Sequence, residues 1–172
     1  MGLDITAYRQ VQVVKDAPID PDGNPCDDEH HNRIFVNPDY PGRDAGLDAA
    51  AIYTIGTEHI SFGVGNYRSY NLWRNLLAKL AGYTYHPGGN GREEYCGDCW
   101  NGVEGPFSEL ISFSDCEGVI GPIVSAKLAK DFADFDDRAK AFVSNYRGFY
   151  QLYSEWHRAF EMAADGGYVN FH

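Results

Sequence analysis

Apolar and polar residues alternate from Leu3 to Tyr8: Leu3, Ile5 and Ala7 against Asp4, Thr6 and Tyr8. That period of two predicts a strand with one buried face. Val11, Val13 and Val14 extend it or supply a hairpin partner. From Asp16 to His31 the pattern dissolves into three prolines, Gly23 and the run Asp27-Asp28-Glu29-His30-His31, which predicts an exposed loop. Asn32–Asn37 reads as a short strand stopped by Pro38, and Pro41, Gly42 and Gly46 mark a second loop. Residues 51–57 and 59–64 read as two further strands, or one bent around Gly56.

The period then changes. Tyr70, Trp73, Leu77 and Leu80 form an apolar stripe on a helix that begins near Asn66 and stops at Gly82. Residues 83–106 form a long glycine-rich insertion, and residues 107–113 are expected to be a strand. Pro122 suits a first helical position, and Val124, Leu128, Phe132 and Phe135 line one face behind it. Phe142, Tyr146, Phe149, Tyr153, Trp156, Phe160 and Ala163 step by four and three, which predicts one long aromatic-faced helix ended by Asp165-Gly166-Gly167. Tyr168–Phe171 alternates like a closing strand. The expected fold is α+β: a mainly antiparallel sheet packed against two or three helices, in a single domain spanning residues 1–172.

Charge narrows the partners. A net charge of −11 repels phosphate backbones, so polymeric nucleic acid is not an expected partner. It suits a basic protein surface, or a small ligand held in a locally basic pocket. No apolar run approaches the ~20 residues of a membrane span, and Met1–Ile5 lacks the pattern of a signal peptide. The expected setting is cytoplasmic.

Three places carry candidate chemistry. Cys96 and Cys99 have the spacing that grips zinc, with Cys26, His30, His31, His86 and Cys116 as further donors, although no second tight pair completes a tetrahedral set. The second is a pair of helix entrances. At Gly63-Val64-Gly65-Asn66-Tyr67-Arg68-Ser69-Tyr70, small residues let a ligand approach the backbone, Arg68 supplies charge, and Tyr67 or Tyr70 can stack on a base. Gly118, Gly121, Ser125 and Lys127 offer a weaker set at the other entrance. The third is Asp115-Cys116-Glu117, where a thiol and two carboxylates precede a helix. No positioned base is evident for Cys116, so Asp115 and Glu117 read better as caps or as one wall of a binding pocket.

Met1-Gly2-Leu3-Asp4-Ile5-Thr6-Ala7-Tyr8, the stretch from Phe113-Ser114-Asp115-Cys116-Glu117-Gly118 to Lys130-Asp131-Phe132, and Ala163-Ala164-Asp165-Gly166-Gly167 resemble small proteins carried by bacteriophages and prophages. The resemblance covers about a third of the chain and transfers no catalytic residue. It implies a phage accessory protein acting on a host or defence pathway in the bacterial cytoplasm. The leading expectation is a non-enzymatic binder of a nucleotide-like small molecule at Gly65, Asn66, Tyr67, Arg68, Tyr70, Asp115, Glu117, Gly118 and Ser125. The rivals are an acidic inhibitor of a basic host protein and a hydrolase using a metal or Cys116.

Overall fold

A computed structural model describes residues 2–56, 58–84, 100, 102–113, 117–143 and 146–172. Four strands, β1 (Asp4–Tyr8), β4 (His59–Gly63), β5 (Gly118–Ile120) and β6 (Tyr168–Phe171), form an antiparallel sheet in the order β4-β1-β6-β5. The alternation read at Leu3–Tyr8 sets its two faces. Ile5 lies between Phe62 and Phe171, and Ala7 between Ile60 and Val169, all on one face. On that face packs α5 (Phe149–Ala164), with α3 (Pro122–Asp134) against α5. The second face is partly covered by a small sheet of β2 (His31–Arg33) and β3 (Ile52–Thr54), through Ile34, Ala51, Tyr53, Val119 and Tyr168. The chain is therefore α+β, with a mainly antiparallel sheet and an aromatic-faced helix near its C-terminal end.

The core is aromatic because the helix stripes meet there. Trp156 of α5 stacks on Trp73 and Tyr70 of α1 (Tyr67–Ala81) at 5.8 and 6.1 Å between ring centres, and meets Phe62 edge-on at 5.2 Å. Burying each such ring contributes roughly 1.5–3 kcal/mol. The boundaries of α1 match their local chemistry. The Asn66 side chain accepts from the Ser69 N–H at 2.9 Å, and Gly82 closes the helix at φ 88°.

Elsewhere the structure departs from the pattern. Residues 107–113 do not form a strand: Ser108–Ile111 is the short helix α2, entered through Phe107 at φ 61°. Phe107, Leu110, Ile111 and Phe113 are all buried, a spacing closer to helical than to alternating. The long aromatic helix is also shorter than its spacing predicts, with Phe142 and Tyr146 lying outside it. α4 (Asp136–Ala141) ends where Phe142 turns extended, and α5 starts only after Gly148, at φ 87°. Phe142 still packs on Phe149, 5.1 Å between ring centres, a contact made by the bend in the backbone, since seven residues along one helix lie about 10.5 Å apart. Residues 51–57 and 59–64 resolve into two strands in different sheets. No helix among the described residues is long and apolar enough to cross a membrane.

Candidate functional site

Where β4 gives way to α1, the chain runs Phe62-Gly63-Val64-Gly65, with Gly65 at φ 82°. Facing it is the start of α5. Between them lies a cleft of about 310 Å³, lined by Phe62, Gly63, Val64, Gly65 and Ser69 on one side and Tyr146, Arg147, Gly148, Gln151, Leu152 and Glu155 on the other. This is near the lower end of volumes that hold a small ligand. Phe62 and Leu152 make the floor apolar, while glycine backbone and polar side chains make the walls polar.

Two charged side chains, Arg147 and Glu155, line the cleft. Arg147 is exposed and has no carboxylate partner among the described residues. Glu155 sits in the same cleft, with the Arg158 guanidinium 4.0 Å away to offset it. Gly148 gives the N-terminus of α5 no side-chain cap, and the first turns of α1 and α5 contain no acid. Several other surface cations are occupied: Arg9 by Glu58 and Asp165, Lys130 by Asp134, Lys140 by Asp136.

Of the expected site residues that are described, only Gly65 is among those lining this cleft. Asn66, Tyr67 and Arg68 are exposed on the first turn of α1, and Asn66 is occupied as the cap of Ser69. Tyr70 is fully buried and donates its hydroxyl to the Phe113 carbonyl at 3.2 Å, so its ring stacks on Trp156 rather than on a ligand. Arg74, one turn on, is 4% exposed and donates to the Ile111 and Phe113 carbonyls at 2.8 and 3.0 Å. α1 thereby grips the segment that leads towards β5.

The second entrance is filled by the chain itself. The Gly121 N–H donates to the Arg43 carbonyl at 2.7 Å, and that of Ile123 to the Ala45 carbonyl at 3.3 Å, so the 43–46 loop occupies the N-terminus of α3. A Cβ at Gly121 would lie 2.6 Å from the Ala45 oxygen. Ser125 is fully buried, with its hydroxyl donating to the Ile120 carbonyl at 3.4 Å. Gly118 is buried beside Phe113 and Asn37. Glu117 is exposed, and its carbonyl accepts from the Asn37 amide at 2.9 Å. Lys127 lies between Glu109 (2.5 Å) and Asp131 (2.9 Å). The Glu109 carboxyl is raised by burial, but the hydrogen bond and charge of Lys127 outweigh this and leave it below its ordinary range.

Asp115 and Cys116 lie outside the described residues, as do Cys96, Cys99 and His86. Among the described residues no three His, Cys, Asp or Glu side chains converge as a metal site; His30 is held by Asp27 at 2.9 Å. Arg147 and Gly148 are the site residues that sequence reasoning misses. Their signal is a glycine and an arginine interrupting the aromatic seam, which a continuous helix does not need. Compared with known proteins, the chain matches no family model, no curated protein and no solved structure.

Proposed function

We propose that this protein is a non-catalytic binder of a small, anionic, nucleotide-like ligand, held in the cleft between the Gly63–Gly65 turn and the start of α5. In this reading it acts as a phage-type accessory protein that sequesters such a molecule. The observation that carries it is Arg147, a cation without an acidic partner among the described residues, at the mouth of a glycine-walled cleft in a chain of net charge −11. A phosphate at Arg147 would also meet the start of α5, which has no side-chain cap, although its first N–H, that of Phe149, already donates to the Tyr146 carbonyl at 3.2 Å. The apolar floor of Phe62 and Leu152 suits the flat part of the ligand.

The test is a thermal-shift series with mononucleotides, cyclic nucleotides and dinucleotides. A ligand at one hundred times its Kd stabilises by about 2.7 kcal/mol, a shift of roughly 5–10 °C for a chain of this size. Arg147→Ala is expected to abolish the shift while leaving the melting temperature of the free protein unchanged. A flat series across all three classes, or full binding by Arg147→Ala, refutes the reading.

A further inference from the structure

The two edges of the main sheet are treated differently. At β5 the chain covers its own edge: the Asn37 amide takes the Glu117 carbonyl, and the Arg43 carbonyl takes the Gly121 N–H. The edge at β4 is bare among the described residues. Asp4 exchanges both backbone bonds with His172, at 2.8 and 3.0 Å, and Leu3 accepts from Val64 at 3.0 Å. Even-numbered residues of β1 therefore turn their backbone groups to β6, and odd-numbered ones to β4. The backbone groups of their partners Phe62 and Ile60 point back at β1, so the N–H and C=O groups of His59, Ser61 and Gly63 point outward. No backbone bond outside the β1 pairing uses those groups among the described residues. The strand also lacks proline and lysine, two usual protections of an exposed edge.

The sequence of this edge complements itself. Laid antiparallel on a second copy about Ser61, His59 meets Gly63, Ile60 meets Phe62 and Ser61 meets Ser61. Large side chains oppose small or apolar ones, and apolar pairs fall on the face that carries α5. The same register makes 59–63, 61–61 and 63–59 the hydrogen-bonded pairs, which are the residues whose backbone points outward. Gly63 also sits beside Asp4, whose carboxylate lies over it: a Cβ there would be 3.3 Å from the Asp4 oxygen. A His59 imidazole from the second copy would enter that bare position next to the carboxylate. No ion pair among the described residues engages Asp4.

The geometry points to a homodimer formed by antiparallel β4–β4 pairing centred on Ser61, which joins the two four-stranded sheets into one of eight. The pairing rests on observations other than those made of the cleft, although Phe62 and Gly63 belong to both, so a second copy would border the cleft. The contact is small, with about six backbone hydrogen bonds along about 17 Å of strand, so dimerisation is weak and reversible, in the micromolar to millimolar range. Because each copy carries −11, added salt strengthens it.

Sedimentation equilibrium over a concentration series, at low and high salt, measures the association. Ser61→Lys places two ammonium groups opposite each other on exposed positions and is expected to weaken it about tenfold or more, while the loss of the Ser61 hydroxyl 3.2 Å from that of Thr6 costs the fold about 1 kcal/mol or less. Ser61→Cys tests the register. Under mild oxidation, peptide mapping of that variant should recover a disulfide joining position 61 of one copy to position 61 of the other, because hydrogen-bonded pairs lie about 5.5 Å apart at Cα. Glu58→Cys, which would oppose Val64 of the second copy, should give no such self-linked peptide. A chain that stays monomeric at every concentration, or a dimer indifferent to Ser61→Lys, overturns the proposal. So does a dimer that the Ser61→Cys change fails to cross-link.

Discussion

The two glycine-marked helix entrances look alike in sequence and differ entirely in the folded protein. At α3, the carbonyls of Arg43 and Ala45 take the Gly121 and Ile123 N–H groups, Ser125 is sealed beneath, and Lys127 is neutralised by Glu109 and Asp131. At the α1/α5 cleft, Asn66 caps the α1 terminus that the sequence marks, whereas Gly148 leaves α5 without a side-chain cap beside the exposed Arg147. A helix N-terminus is a potential anion site only while nothing nearer satisfies it. Proximity of a loop from elsewhere in the chain, rather than local composition, separates a structural junction from a candidate binding site.

Breaking the closed entrance should have the largest effect. Gly121→Ala puts a methyl 2.6–2.8 Å from backbone atoms of Asp44 and Ala45, which cannot swing aside as a side chain could. A loss of about 2–4 kcal/mol is expected from denaturant melts, since overpacking against backbone forces the loop off the helix. A stability loss below about 1 kcal/mol would mean that the loop is not held there. Next is the strut between the entrances. Arg74→Met removes the donor to the Ile111 and Phe113 carbonyls and is expected to cost about 2 kcal/mol. Tyr70→Phe should cost less, because Arg74 still serves the Phe113 carbonyl.

At the open entrance the changes should be mild. Asn66→Ala deletes the cap of α1, at about 1 kcal/mol, read from the same melts. The pH dependence gives a finer contrast. Glu109 titrates below its ordinary value of 4.5 in the folded protein, so its pairing with Lys127 stabilises above that value. The contribution is lost as pH falls through the lower, folded value. Glu109→Gln should therefore flatten the stability curve below about pH 4.5, by less than about 1 kcal/mol because the pair is partly exposed. Arg147→Ala should leave that curve unchanged, and a change in it would show that Arg147 has a structural partner.

How much of this is legible along the chain depends on how far apart the deciding groups lie. Asn66, Gly82, Pro122 and Gly167 announce helix ends or turns because capping is a matter of a few neighbouring residues. Gly167 is legible locally as a helix stop, but its strictest demand is long-range, since a Cβ there would fall 1.8 Å from the Tyr8 carbonyl oxygen. Gly148 escapes notice because the aromatic spacing runs through it, although Phe142 and Phe149 meet at 5.1 Å only because the chain bends there, since along one helix they would lie about 10.5 Å apart. Phe107–Phe113 misleads because an apolar run of that length does not distinguish a buried strand from a buried helical turn.

Local pattern suffices for the α+β class, the inward faces of β1 and β6, and the existence of α1, α3 and the aromatic helix. Alternation and helical periodicity depend only on which neighbouring side chains must leave water. Which polar groups remain available is settled only by long-range folding. Tyr70, Ser125 and Lys127 are taken by Phe113, Ile120, Glu109 and Asp131, while Arg147 and the outer edge of β4 are left facing solvent. Hydrogen bonds and ion pairs between distant segments form only once the chain has closed, so no local pattern could assign them.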